Sequence, residues 1–153
     1  MVKFIWKGNQ PVPDGMAITQ VYGVLFTEDG RIMLRVDEND FHGLIGGTPE
    51  PGETHEETLH REVYEEANCK ISNLRYLGYQ VVEGDGEPYA QLRYIAKLEE
   101  IGENRPDLDD GKLYGRPLVP MEQAGEILDY GEDGKIIIRQ AIELAKKYKI
   151  IKL

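Results

Sequence analysis

The sequence predicts an α/β fold in which a mixed β-sheet lies between helices. Three observations support this class: five or six segments rich in β-branched and aromatic residues, an amphipathic helix inside the chain, and another helix at its C-terminal end. A chain of 153 residues is large enough to bury about 68–70% of the surface of its unfolded form. We therefore expect a single domain, residues 1–153, with one hydrophobic core.

Composition excludes several classes of protein. One cysteine cannot form an internal disulfide, and a formal charge of −10 argues against non-specific nucleic-acid binding, which needs a basic surface. No basic segment followed by an apolar run opens the sequence, and no apolar run approaches the ~20 residues of a membrane span. We expect a soluble, cytoplasmic protein that does not bind membranes, and a homodimer remains open.

The first part of the chain predicts strands joined by a tight turn. Apolar residues followed by Pro and Gly in residues 1–15 indicate a short strand or packed arm and then a turn. The run ITQVYGVLF predicts a central strand over residues 17–26, and Glu-Asp-Gly at 28–30 predicts a hairpin turn into a strand over 31–36. Arginines alternate with apolar residues in this second strand. Residues 37–43 are predicted to form a polar loop.

The middle of the chain predicts a loop followed by a helix. Residues 46–52 are rich in Gly, Pro and Thr, which favours a loop, and a helix should follow over about residues 53–67. Thr54 is the expected N-cap, because its hydroxyl can accept from the backbone N–H of Glu57 while that carboxylate reaches back. Asn68 is expected to end the helix in the left-handed conformation.

The second half of the chain predicts a hairpin and two further helices. Residues 71–82 and 87–98 should be paired strands, since Glu-Gly-Asp-Gly lies between them. The acidic segment 99–111 should be an irregular loop, with a strand over 113–119 and a short helix over 121–128 after it.

A longer helix should close the chain and cover the second face of the sheet. Asp133 is its expected cap. Its apolar residues at helical spacing are Ile137, Ala141, Leu144, Ala145 and Tyr148.

Three glutamates share one face of the predicted central helix. Glu62, Glu65 and Glu66 stand at i, i+3 and i+4, within an arc of roughly 100°. They adjoin an apolar stripe, so these carboxylates should lie near the buried edge of the helix. Like charges at this spacing destabilise a helix by about 0.2–0.5 kcal/mol per pair. A bound divalent cation such as Mg²⁺ is the simplest way to offset this repulsion. A solvated acidic face is the alternative interpretation.

The spacing of these residues resembles the signature of the Nudix hydrolases. The matching positions are Gly47, Glu53, Arg61, Glu62, Val63, Glu65 and Glu66. Every charged position of the signature is filled, and the signature fixes a loop, a helix start and a carboxylate cluster together, which favours it over an acidic surface. The departures are Asn68 at an expected glycine, Cys69 at an apolar position, and Ile45 where a proline often precedes the paired glycines. None of these departures removes an expected metal ligand.

The resemblance implies an α/β/α sandwich and hydrolysis of a diphosphate linkage in a small nucleotide substrate. Mg²⁺ is the expected cofactor, with Mn²⁺ as a substitute. The expected metal ligands are the carboxylates of Glu62, Glu65 and Glu66 and the backbone carbonyl of Gly46.

The resemblance also implies roles beyond the metal ligands. Arg61 and Glu53 resemble a pair in which an arginine steadies the glutamate at the helix entry, and with Glu62 and Glu65 they make up the expected catalytic set. Arg35, close to the glycine pair, is expected to contact substrate phosphate. An exposed arginine without a role is the alternative for Arg35.

The general base is open between Glu62 and the acidic loop. In Nudix enzymes a loop at this point often supplies a further carboxylate as a metal ligand or as the base. The candidates are Glu103, Asp107, Asp109 and Asp110, of which at most one is expected to act.

Two other function classes compete with a hydrolase. A non-catalytic nucleotide sensor with the same fold would not need the complete set of motif charges. A calcium-binding module would need an Asp-x-Asp-x-Asp-Gly loop with Glu at its twelfth position, which residues 107–111 resemble only superficially. The substrate remains open among nucleoside triphosphates, nucleotide sugars, ADP-ribose and dinucleoside polyphosphates.

Overall fold

The computed structural model describes residues 1–152, and within them it contains nine strands and three helices. In chain order these are β1 (Lys3–Gly8), β2 (Ala17–Phe26), β3 (Arg31–Met33), β4 (Arg35–Val36), β5 (His42–Gly43), β6 (Ile45–Gly47), α1 (His55–Ala67), β7 (Cys69–Glu83), β8 (Tyr89–Ile101), β9 (Leu118–Pro120), α2 (Met121–Ile127) and α3 (Gly131–Lys147). The order agrees with the predicted α/β class.

The predicted mixed sheet is confirmed, but it contains seven strands where five or six were expected. The strand order is β1-β7-β8-β2-β3-β9, and β6 pairs with β2 beside β3. Strands β2 and β8 run parallel, whereas the other neighbours are antiparallel. Strands β4 and β5 form a separate two-stranded ribbon.

Helices cover both faces of the sheet, which confirms the predicted layers. Side chains of β2 alternate between the two faces. Val24 and Phe26 pack in a cluster with α2 and α3, whereas Val21 and Leu25 pack in a cluster with α1. The apolar stripe of α1 is fully covered by the sheet. Its members are Leu59, Val63 and Ala67.

Helix α1 has both of the predicted caps. Glu57 N donates to Thr54 Oγ1 at 3.1 Å, and Thr54 N donates to Glu57 Oε1 at 2.8 Å, which completes the capping box. At the other end Asn68 adopts φ 51° and ψ 47°, and its N–H donates to the carbonyl of Tyr64. These local bonds fix the residues at which the helix begins and ends.

The predicted loop over residues 46–52 was wrong at its start, because Gly46 and Gly47 belong to strand β6. Gly46 lies opposite Tyr22 in the β2–β6 pair, and a Cβ at Gly46 would lie 2.6 Å from Tyr22 Cα. Backbones approach so closely there that only glycine fits the strand. A glycine pair was therefore mistaken for a loop.

Several other boundaries also differ from prediction. The polar loop over 37–43 contains β5, and β8 extends to Ile101, so the acidic loop starts three residues later than expected. Strand β9 covers only Leu118–Pro120, because residues 113–117 run as an irregular segment with one bridge between Val36 and Gly115.

The predicted cap of the last helix was wrong as well. Helix α3 begins at Gly131 with Tyr130 at the N-cap, and no side chain caps it. Asp133 lies inside the first turn, where its charge still suits the helix dipole.

No helix among residues 1–152 combines the length and apolar character needed to cross a bilayer.

Candidate active site

Arg61 is the centre of the polar groups on α1. Its Nη1 lies 2.8 Å from Glu62 Oε1 and 2.7 Å from Glu65 Oε1, and its Nε lies 2.7 Å from Glu53 Oε2. Nη2 donates to the carbonyl of Thr48 at 2.9 Å and to Glu53 Oε1 at 3.0 Å. One guanidinium thus offsets three of the predicted site carboxylates.

Glu53 is held in place from several directions. The two oxygens of Glu53 face Nε and Nη2 of Arg61 in a fork, and Thr58 Oγ1 donates to Glu53 Oε1 at 2.9 Å. The Arg61 guanidinium is the main cause that lowers the pKa of Glu53 to about 2. The structure therefore brings together the pair that the sequence predicted. Whether this pair steadies the catalytic glutamates stays a prediction.

Glu66 has an unusual environment for a carboxylate. Its side chain is 6% exposed, and Arg35 Nη1 lies 3.3 Å from Glu66 Oε2. Burial raises the pKa of Glu66 to about 8, since the favourable charge of Arg35 does not offset the loss of water and the nearby carboxylates of Glu62 and Asp107. Glu66 Oε1 and Arg35 Nε are buried without any hydrogen-bond partner within residues 1–152.

Gly47 leaves room for the Glu62 carboxylate. A Cβ at Gly47 would lie 2.5 Å from Glu62 Oε2 and 2.6 Å from Glu62 Oε1, closer than non-bonded atoms approach. Burial also raises the pKa of Glu62, against the pull of Arg61. The bare backbone of β6 and the carboxylates of α1 therefore face each other across a space that a side chain at this position would close.

The acidic loop contributes one buried carboxylate, Asp107. Its side chain is 6% exposed, and Asp107 Oδ1 accepts from the backbone N–H of Asp109 at 2.7 Å. Leu108 N donates to the carbonyl of Glu65 at 3.2 Å, which fixes the loop on α1. Of the four candidates in this loop, Glu103 does not line the cleft beside α1, whereas the other three do.

These groups surround one open cleft of about 590 Å³. Its lining residues include Gly46, Gly47, Arg35, Arg61, Glu62, Glu65, Glu66 and Asp107. The structure thus brings together every predicted site residue except Glu53, which contacts the cleft through Arg61.

In this form the carboxylates are not arranged as a metal-binding group. Among residues 1–152, no three His, Cys, Asp or Glu side chains are grouped closely enough to hold an ion as they stand. The carboxylates of Glu62 and Glu65 both face the Arg61 guanidinium. The predicted ligand set therefore stays a prediction.

A second cavity of about 460 Å³ adjoins the cleft, since Tyr22 and Arg35 line both. It lies between the sheet and the start of α3, and its other polar residues include Arg93, Gln80, Gln91, Asp129, Tyr130 and Asp133. This cavity was not predicted from the sequence. A signal was present, because Gln91 and Arg93 alternate with buried Ala90 and Leu92 along β8.

Comparison with known proteins gives consistent results. Residues 16–140 match the model of the NUDIX domain family. The chain is 34% identical over 121 residues to the NAD-capped RNA hydrolase NudC of Mannheimia succiniciproducens, covering 73% of this chain and 43% of that protein. The chain spans less than half the length of the curated NudC relatives that it matches first.

Solved structures share the fold. The Bacillus subtilis pyrophosphohydrolase BsRppH aligns with a TM-score of 0.70 at 23% identity, over 94% of this chain and 90% of that one. The C. elegans Ap4A hydrolase aligns with a TM-score of 0.59 at 23% identity, over 84% and 98% of the two chains. The motif residues, the mixed sheet and the family model all agree, and the chain belongs to the NUDIX domain family.

Proposed function

We propose that this protein is a divalent-metal-dependent hydrolase that cleaves a diphosphate linkage in a nucleotide substrate. The observation that carries the proposal is the convergence of Glu62, Glu66 and Asp107 on one cleft beside Arg35 and Arg61. A cleft that holds both buried carboxylates and arginines suits a substrate that carries phosphate together with its metal ion. A nucleotide sensor without activity is less favoured, because it would not require this set of charges.

The donor set fits Mg²⁺, or Mn²⁺ in its place. Glu66 Oε1 is a buried acceptor without a partner, and oxygen is the ligand that hard cations prefer. Glu62, Glu65 and Glu66, with the carbonyl of Gly46, would hold the ion. When bound, such a cation neutralises phosphate oxygens and lowers the pKa of the water that attacks phosphorus.

The remaining groups would bind and orient the substrate. Arg35 has a free Nε donor at the cleft, which suits a phosphate oxygen. Arg61 would keep Glu53 and the α1 carboxylates in place. Either Glu62 or Asp107 would take the proton of the attacking water, and the two carboxylates differ in that Arg61 donates to Glu62.

The substrate itself is expected to be a small nucleotide. A formal charge of −10 disfavours non-specific binding along a nucleic acid. An RNA that ends in a diphosphate-linked nucleotide would still present the same linkage, and the matched NudC relatives are named for NAD-capped RNA. A capped RNA end therefore belongs among the candidates beside free nucleotides.

A substrate panel tests the proposal. Nucleoside triphosphates, nucleotide sugars, ADP-ribose, dinucleoside polyphosphates and a NAD-capped RNA would each be incubated with Mg²⁺, with Mn²⁺ and with excess EDTA, and the phosphate-containing products measured. We expect hydrolysis of at least one of them only when a divalent cation is present. Equal rates in EDTA would contradict the metal assignment, and tight nucleotide binding without turnover would favour the sensor.

A further inference from the structure

Arg93 is a buried arginine whose contacts are all with neutral groups. Its side chain is 2% exposed, and its guanidinium lies 4.8 Å from the ring centre of Tyr22 and 5.9 Å from that of Tyr130. Nη2 donates to Gln80 Oε1 at 2.8 Å, and within residues 1–152 Arg93 forms no ion pair. A buried charge with only neutral partners is expensive, so its presence calls for an explanation.

The donors of Arg93 are only partly used. An arginine carries five N–H groups. Besides the bond to Gln80, the contacts are long ones, from Nη2 to Gln91 Oε1 and from Nη1 to the carbonyl of Leu92, both at 3.4 Å. The buried Nε has no acceptor. An unpaired buried donor at the wall of a cavity indicates that a ligand supplies the missing acceptor.

The cavity beside Arg93 suits a flat, neutral ring. Aromatic side chains form much of its wall, namely Phe4, Tyr22, Phe41 and Tyr130. Two carboxylates, Asp129 and Asp133, also line it and offset the charges of Arg35 and Arg93, so the cavity has no net positive charge to attract a phosphate. The phosphates of a substrate therefore belong in the adjoining cleft with Arg35, and the part that enters the cavity should be uncharged.

A hydrogen-bond chain sets the position of the guanidinium. Asp133 Oδ2 accepts from Gln80 Nε2 at 3.4 Å, and Gln80 Oε1 in turn accepts from Arg93. Gln91 is the more weakly held partner of Arg93, because this contact is long and the Gln91 side chain is only partly buried, although Gln91 Nε2 also donates to Gln20 Oε1. Displacing the Gln91 amide would give a ligand access to Nη2 and the adjacent Nε of Arg93.

We propose that this cavity binds the base of the nucleotide that is cleaved, and that Arg93 makes it selective for a 6-oxopurine, guanine or hypoxanthine. The adjacent Nε–H and Nη–H of an arginine match the O6 and N7 acceptors of such a base. Adenine places an amino donor at the same position, which would face another donor. This inference rests on the proposed function, since the base is taken to belong to the substrate.

Binding of monophosphates tests the proposal without turnover, because GMP, IMP, AMP and UMP contain no anhydride to cleave. Calorimetric titration of the wild-type protein in Mg²⁺ should show GMP and IMP binding about 10- to 100-fold more tightly than AMP or UMP. The 7-deaza analogue of GMP lacks the N7 acceptor and should lose most of this advantage. AMP or UMP binding as tightly as GMP, or no loss with the 7-deaza analogue, would overturn the proposal.

Two matched variants test whether the Arg93 side chain causes the preference for GMP over AMP. Arg93→Lys keeps the charge and removes the fork, so the ratio of GMP to AMP affinity should fall toward one. Arg75→Lys is the control, because Arg75 is exposed on β7 and lies over the ring of Tyr148, away from the cavity. A preference unchanged in Arg93→Lys would refute the assignment. If that variant does not fold, the 7-deaza comparison in the wild type decides.

The two proposals can fail separately. Base preference without metal-dependent hydrolysis would support the selectivity of the cavity for a 6-oxopurine but contradict the proposed function. Metal-dependent hydrolysis of the nucleotide panel with no discrimination among bases would support the proposed function and contradict this inference.

Discussion

Glu66 receives a hydrogen bond from Arg35 at one carboxylate oxygen and has no partner at the other. Arg35 Nη1 lies 3.3 Å from Glu66 Oε2, whereas Glu66 Oε1 and Arg35 Nε both lack partners. The unpaired acceptor suits a cation, and the unpaired donor suits a phosphate oxygen. The pair can therefore receive a metal ion and an anionic substrate side by side.

The Arg35→Ala variant should have a kcat/KM lowered about 10- to 150-fold, which corresponds to about 1.5–3 kcal/mol for a hydrogen bond to a charged group. Steady-state kinetics on whichever substrate the panel identifies would measure it. Arg31→Ala is the control, because Arg31 lies on the adjacent strand, contacts Asp29 and is 45% exposed. Equal kcat/KM for wild type and Arg35→Ala would mean that Arg35 does not bind phosphate.

Glu66 should make the metal-free protein less stable as the pH rises. Burial raises its pKa in the folded protein to about 8 from an ordinary value of 4.5. The folded state thus holds the proton more tightly than the unfolded state. This contribution to stability is complete below pH 4.5 and is lost as the pH rises toward 8, with a slope of up to about 1.4 kcal/mol per pH unit.

Urea unfolding in EDTA across this pH range would test the effect. Glu66→Gln cannot ionise, so the dependence should be weaker in that variant than in the wild type. Glu143→Gln, an exposed position on α3, should behave as the wild type does. Identical pH profiles for wild type and Glu66→Gln would show that burial does not shift this group.

Arg61→Ala should destabilise the metal-free protein by about 1–3 kcal/mol, because three partly buried carboxylates lose their counter-charge. Added Mg²⁺ should raise the melting temperature more in this variant than in the wild type, since the cation replaces the missing charge. Arg61→Lys keeps the charge without the fork and should fall between the two. Wild-type stability in Arg61→Ala without metal would contradict this account.

Asp107→Asn should lower kcat by about 10²-fold or more if this residue takes the proton of the attacking water. The asparagine oxygen can still accept from the backbone N–H of Asp109, so the loop should keep its shape. Glu103→Gln is the control from the same loop, because Glu103 is exposed outside the cleft. A kcat in Asp107→Asn within about twofold of wild type would exclude Asp107 as the base.

Local rules were sufficient to predict α1 and its caps. The capping box at Thr54 and the left-handed Asn68 depend on residues within one turn, so their spacing in sequence fixes their geometry in space. The same holds for the shared face of the three glutamates. The strand boundaries of β2 were also predicted, because its β-branched run ends at a turn.

Contacts between distant segments could not be predicted in the same way. The sequence suggested that Glu65 and Glu66 would crowd each other, yet Arg61 and Arg35 offset them separately. Arg35 reaches Glu66 only because β4 lies next to the cleft in the folded protein. Gly46 likewise belongs to β6 and not to a loop, because it pairs with Tyr22 of β2, whose backbone lies close to its Cα. Such contacts depend on the register between strands, which no local pattern contains.

The parallel pairing of β2 with β8 determines the order in which the chain can fold. Gln20 and Gln91 are neighbours in this pair although 71 residues separate them in sequence, whereas β7 and β8 are joined by a short turn. Closing the long loop between β2 and β8 costs conformational entropy before the contacts between these strands can form. The β7–β8 hairpin should therefore form early, and β2 should dock late. In stopped-flow experiments Ile95→Ala in β8 should mainly slow folding, and Val24→Ala in β2 should mainly speed unfolding. The reverse pattern would place β2 in the folding nucleus. Because Tyr22 of β2 lines both the cleft and the neighbouring cavity, neither can bind a nucleotide until β2 has joined the sheet.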